Sequence, residues 1–195
     1  DAAKNFTLKN LNLNSCPTET KFFVSKKNIE IGKNFIHKDK FNIVLGVGSS
    51  GPTTKWGVSN YSNLINKLNL ENNFYFYLLC GKNESNVPNE IIDKIVKKNC
   101  SSLHNMTIKQ LIPILTSCNM YVGNDSFGSH ITSQSGIKSI VILLDSPRAY
   151  TDYSKNFCRI IPRGFDIDKI THGSNADPNL VLVEDVIKNI NRLKN

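Results

Sequence analysis

Apolar residues run in two alternating rhythms from Phe41 to the C-terminus: short unbroken runs and helical stripes. Residues 41–45 form the first run and predict a strand, followed by a glycine-rich loop over 46–57. Tyr61, Leu64, Ile65 and Leu68 then recur at i, i+3, i+4 and i+7, which predicts a helix capped by Ser59. Residues 74–79 are continuously apolar, as in a strand buried on both faces. Pro88 stands near the start of the next helical stripe, Ile91, Ile92, Ile95 and Val96.

Thr107 and Gln110 form a capping box opening a helix to about Thr116, with Pro113 in its interior. A strand over 120–122, a helix over 126–135 stopped by Gly136, and a strand over 139–144 come next. Residues 145–180 read as irregular. Val183, Val186, Ile187, Ile190 and Leu193 make a last amphipathic helix, acidic early and basic late, as its dipole prefers.

Strands alternating with helices predict an α/β fold with a doubly wound, mostly parallel, Rossmann-like sheet. Ligands of such sheets bind beyond the carboxyl ends of the strands, where the loops 46–57, 81–86 and 123–129 would lie. Residues 1–40 are polar and aperiodic. They read as a linker or the tail of a preceding domain, with one strand expected over 21–25, and residues 41–195 read as the globular unit. The opening Asp1 fits a segment of a longer product.

Composition narrows the class. Hydrophobic content of 39% and charged content of 21% are those of a globular protein. No run approaches the ~18 apolar residues of a membrane span. The five cysteines are irregularly spaced without a CxxC pair, which argues against a zinc ribbon or disulfide framework and for a reducing cytoplasm. A net charge of +8 invites nucleic acid or an anionic membrane as partner. The lysines are dispersed, however, so a general basic surface is favoured, then a phospholipid patch, with nucleic acid last.

The candidate chemistry gathers in the three loops. Gly46 and Gly48 let backbone N–H groups approach an anion, Ser49 and Ser50 follow, and Lys55 supplies a point charge. Neither a P-loop nor a dinucleotide fingerprint is present. Asp125, Ser126 and His130 open a helix whose amino end suits a phosphate, and Glu84 can accept from ribose hydroxyls. Together these groups point to a nucleotide-sugar site. Each has a plainer reading: a surface lysine, a helix cap, a half-buried imidazole, a solvated glutamate. Isolated histidines at 37, 104 and 172 give no metal site. A Ser126–His130–Asp145 triad lacks the nucleophile elbow.

The order of strand, glycine-rich loop with Lys55-Trp56, strand with Gly81-x-x-Glu84 and Asn124-Asp125-Ser126-x-x-x-His130 helix resembles the C-terminal half of glycosyltransferase family nine, the ADP-heptose:lipopolysaccharide heptosyltransferases. The resemblance is good over 41–144 and loose over 145–193. It implies one half of a GT-B architecture, with the acceptor and the catalytic aspartate on an N-terminal domain. Lys55 would meet the donor diphosphate or sugar and Glu84 the ribose. Ser126, neighbouring amides and His130 would cradle the diphosphate, Asp125 would orient the turn or touch sugar hydroxyls, and Ser49, Ser50 and Gly128 would complete the donor site. Where the family has glycine after Asp-Ser, this chain has Phe127, with the glycine displaced to Gly128. The implied partners are an ADP-heptose-like nucleoside-diphosphate sugar and a glycolipid or glycan acceptor, with peripheral contact at the inner membrane face. No cofactor or metal is implied. A non-catalytic nucleotide- or sugar-phosphate-binding module of the same fold is the alternative.

Overall fold

The computed structural model describes residues 2–71 and 73–194. Its centre is a six-stranded sheet, β1 (Phe41–Gly46), β2 (Phe74–Leu79), β3 (Cys100–Ser102), β4 (Met120–Asn124), β5 (Lys138–Ile142) and β6 (Phe157–Ile160). All neighbours pair in parallel in the order β3-β2-β1-β4-β5-β6. The chain therefore winds outward in both directions from β1 and β4, and the crevice of such a sheet opens beyond their carboxyl ends.

Helices cover both faces, which is why the strands carry apolar residues on either side. One face buries Ile43, Leu45, Phe76 and Val122 beneath α3 (Val58–Leu68), α4 (Asn86–Lys94) and α7 (Val183–Lys194). The other buries Val44, Tyr77, Leu79 and Tyr121 beneath α5 (Ile108–Leu115), with α6 (Phe127–Gln134) beside it. The strand, helix and capping-box expectations for residues 41–79 and 107–135 hold at element level. The Thr107 N–H donates to Gln110 Oε1 at 2.9 Å, for example.

Several details differ from the sequence reading. The expected strand over 21–25 is absent: this stretch has no regular secondary structure and lies outside the sheet, held by Phe22 N–H to Gln134 O at 2.9 Å. The polar first forty residues also contain α1 (Ala2–Asn10) and α2 (Lys26–Phe35). α2 is capped by Ser25, whose hydroxyl accepts from Asn28 N–H at 3.2 Å. It lies so close to α5 that a Cβ on Gly32 would stand 2.0 Å from Pro113 O. Helix α3 starts after Gly57 (φ 97°), not at Ser59, because only glycine readily takes that turn.

Helix α4 stops at Lys94, leaving Ile95 buried and Val96 in solvent. Strands β3 and β6 were not expected. The first is three residues long with no apolar run, and the second sits inside the turn-rich 145–180 segment. Both are edge strands, where the periodic signal is weakest.

Candidate functional site

The loop after β1 is fixed by one buried amide. Asn124, fully buried at the end of β4, donates from Nδ2 to Val47 O (3.1 Å) and Gly48 O (3.5 Å). Its Oδ1 accepts from Trp56 N–H (3.0 Å) and Tyr61 OH (3.1 Å). Both donors and both acceptor positions of the amide are thereby used. Trp56 is buried too, its indole N–H donating to Val181 O at 2.9 Å. Holding Trp56 inside turns its neighbour Lys55 outward.

β1 and β4 approach closely here. Gly46 pairs with Gly123, and a Cβ on Gly123 would stand 2.5 Å from Gly46 O.

A cavity of about 1070 Å³ opens above this junction. Gly48, Ser49, Ser50 and Lys55 from the first loop line one side, and Gly81 and Glu84 from the second. Asp125, Ser126 and Phe127 line another, and Met106 with Ile108 adds an apolar wall. Lys55 Nζ is 2.6 Å from Glu84 Oε1, and the Glu84 carboxylate also accepts the Ser49 N–H (3.3 Å) and Gly81 N–H (3.2 Å). Burial alone would raise the Glu84 pKa; Lys55 and the two amides outweigh it and hold it below the ordinary value.

Ser126 precedes α6, and its hydroxyl lies 3.1 Å from Tyr121 OH, which donates to Asn124 O at 2.7 Å. The amides of Phe127 and Gly128 come ahead of the first helical bond, from Ser129 N–H to Ser126 O (3.0 Å). They and the helix dipole give this wall a positive potential. The Phe127 side chain is 40% exposed and forms part of the wall.

Gly128 faces away: a Cβ there would meet Leu79 Cδ2 at 2.4 Å, so this glycine serves the contact of helix with sheet. His130 also stands behind the lining. Its Nδ1 contacts Tyr153 OH and its Nε2 is 3.4 Å from Asp125 Oδ1. The structure thus brings Ser49, Ser50, Lys55, Glu84, Asp125 and Ser126 to one cavity and reaches His130 only through Asp125.

Asp145 is engaged elsewhere, accepting from Thr53 Oγ1 (2.5 Å) and Ser174 N–H (2.6 Å), which ties the first loop to residues 174–175. Among the described residues no group of three or more His, Cys, Asp or Glu side chains is placed to hold a metal ion.

The Asp125 side chain is 6% exposed, and its Oδ1 has no hydrogen-bond partner. Burial raises its pKa, opposed chiefly by His130. A carboxyl raised in the folded state binds its proton more tightly than in the unfolded chain. It therefore lowers stability as pH climbs from about 4 through the raised value. Glu84 and Asp145 are depressed, so their contributions are present above about 4 and are lost as pH falls below it. Asp125→Asn is expected to gain stability over the native chain as pH rises through the Asp125 titration, then to keep a constant advantage. Urea unfolding between pH 4 and 8 reads this; an advantage flat across that range contradicts it.

The model of glycosyltransferase family 9 (heptosyltransferase) matches residues 2–156. This chain belongs to glycosyltransferase family 9. Its fold superposes on E. coli ADP-heptose lipopolysaccharide heptosyltransferase II with a TM-score of 0.73 at 19% identity, covering 89% of this chain and 53% of that one. A family 9 glycosyltransferase from Veillonella parvula gives 0.78 at 15% identity, covering 96% and 57%. The E. coli heptosyltransferase WaaC with ADP gives 0.73 at 14%, covering 97% and 54%. The chain thus spans little more than half the length of these structures. No curated protein sequence matches it significantly.

Sequence reasoning passed over Asn124 and Tyr121 as site residues. Asn124 was legible as a member of the Asn-Asp-Ser motif that opens the helix, but not as the buried amide that fixes the loop after β1. Tyr121 was one aromatic among several.

Proposed function

We propose that this chain is the donor-binding half of a sugar transferase, taking an ADP-heptose-like nucleoside-diphosphate sugar for transfer to a lipopolysaccharide or related glycan acceptor. The observation that carries the reading is the pairing of Lys55 with Glu84 across one cavity from the amino end of α6, at the point where the sheet order reverses. A diphosphate placed between Lys55 and the amino end of α6 would meet positive charge from two sides. Glu84, ionised and already accepting from backbone, has the chemistry to take a ribose hydroxyl. Ser126 and Asp125 are within the same cavity for phosphate or sugar hydroxyls.

In transfer, the bond from the anomeric carbon to the diphosphate breaks and charge develops on the departing phosphate. Lys55 and the helix amides stabilise that charge without rearrangement. The acceptor hydroxyl loses its proton to a base that we place on an N-terminal domain, with residues 1–40 as the connection and residues 41–195 as the donor unit. Membership in the family and the ADP in the WaaC structure support an adenine nucleotide. The reaction belongs at the cytoplasmic side of the membrane that carries the acceptor. Among the described residues no helix is long and apolar enough to cross it.

Thermal shift with ADP-, UDP- and GDP-sugars tests the donor. A ligand that binds only the folded state at one hundred times its dissociation constant stabilises by about 2.7 kcal/mol. The ADP-sugars are expected to raise the melting temperature by several degrees, ahead of the other two. A panel without any shift would defeat the reading.

A further inference from the structure

At the amino ends of β2 and β3, on the edge opposite the cavity, asparagines lace two turns together. Asn66 accepts the Val96 N–H at 3.0 Å and donates to Lys94 O at 3.3 Å. Asn69 donates to Lys97 O at 3.4 Å and accepts from Asn99 at 2.6 Å, while Asn99 also donates to Phe74 O at 2.8 Å. The result is a braced rim from which Leu70 and Val96 project, 83% and 90% exposed. Their neighbours Leu68 and Ile95 are buried, so these two aliphatics are not part of a frayed core.

Lysines surround them. Lys94, Lys97 and Lys98 are exposed against a single acidic residue, Asp93, in the stretch 93–98, and the Lys98 ammonium also donates to Ile92 O in α4. Nearby Glu71 is answered by Lys194 at 3.7 Å, and Lys67 is held by Glu184.

We propose that this rim docks the protein on an anionic membrane, with Leu70 and Val96 entering the headgroup layer and Lys94, Lys97 and Lys98 facing acidic lipids. Two aliphatic tips fall far short of the ~800 Å² per partner of a stable protein interface, and interface cores are depleted of lysine. A fluid anionic surface needs neither large area nor shape complementarity. Each lysine near such a surface strengthens binding about fivefold, so the contact is weak, reversible and salt-sensitive. The rim lies a strand length, about 20 Å, from the cavity edge. The inference is independent of the donor assignment, because none of the rim residues lines the cavity.

Sedimentation with vesicles decides it. The chain is expected to bind phosphatidylcholine vesicles containing phosphatidylglycerol and not vesicles of phosphatidylcholine alone. Lys97→Glu with Lys98→Glu is expected to lower the partition coefficient by about twentyfold or more. Leu70→Asp with Val96→Asp should abolish measurable binding. All four side chains are exposed, and circular dichroism verifies that the variants fold. Phe23→Asp, at an exposed aromatic in the N-terminal stretch outside the sheet, is the control and should bind as the native chain does. Absence of binding to the anionic vesicles, equal binding to both kinds, or native partitioning by the rim variants overturns the proposal. So does loss confined to Phe23→Asp.

Discussion

Asn124→Ala is expected to cost about 3–5 kcal/mol of unfolding free energy and to lower the melting temperature by about 10 °C. The side chain removed satisfies the Val47 and Gly48 carbonyls and the Trp56 N–H, and shares the Tyr61 hydroxyl. Tyr61 keeps a partner in Gly46 O at 2.8 Å. The carbonyls and the Trp56 amide do not have a ready substitute in a fully buried place, and each buried polar group left without a partner costs about 1–3 kcal/mol. Asn124→Asp separates the two halves of the argument. It keeps an acceptor for Trp56 and Tyr61, removes the donors to 47 and 48, and adds a buried charge, so it should be at least as damaging. Urea unfolding monitored by Trp56 fluorescence reads both variants, since that indole lies at the lost contact. A loss under 1 kcal/mol for Asn124→Ala would show that the loop over 46–57 holds without the amide.

That residue also shows where sequence reasoning stops. The parallel sheet, the positions of its central strands and the loops at their carboxyl ends were legible because apolar runs and stripes are local signals. Lys55, Glu84 and Ser126 could be placed at one edge from strand order alone. Their mutual arrangement was not legible, because it depends on contacts between residues far apart in the chain. The Lys55–Glu84 pair spans two loops, and the Trp56 bond to Val181 spans 125 positions.

Trp56 reads as half of a Lys-Trp signature, yet it acts as the buried anchor that aims Lys55. His130 reads as a partner of Ser126 on one side of the helix. In the fold its ring turns to Tyr153, stacked at a centroid distance of 5.9 Å. Helical spacing of four brings two side chains to one side without saying what else competes for them. Tyr153 lies in the segment that sequence patterns leave irregular, so that competitor was invisible.

Asp125 illustrates a conflict between stability and site. A carboxyl buried beside a helix start, with one oxygen that accepts no hydrogen bond and only the His130 ring 3.4 Å from it, is an expensive residue to fold around. The positive end of the α6 dipole and His130 offset part of that cost. At Glu84 the burial penalty is outweighed, because its cation and two amides are in place. The cavity therefore holds two carboxyls with opposite shifts: one settled as an anion, one resisting ionisation.

Lys55→Ala should weaken nucleoside-diphosphate binding by about ten- to a hundredfold, the loss of one charge-assisted contact worth about 1.5–3 kcal/mol. The side chain is 34% exposed and among the described residues its one ion pair is to Glu84, so the melting temperature without ligand should move by only a degree or two. Calorimetric titration with ADP measures the effect, and inorganic pyrophosphate as competitor localises it to the phosphates. Lys55→Arg keeps the charge and should restore most of the affinity. Glu84→Gln gives the opposite contrast. It frees Lys55 from its carboxylate, so pyrophosphate should bind as tightly as before or more tightly, while ADP loses the contact to its ribose. Equal weakening of both ligands in Glu84→Gln would assign that glutamate to holding the loop and not to the ribose. An ADP affinity within twofold of native in Lys55→Ala would remove that lysine from the donor site and leave Lys82, the other lysine lining the cavity, as the cation facing the phosphates.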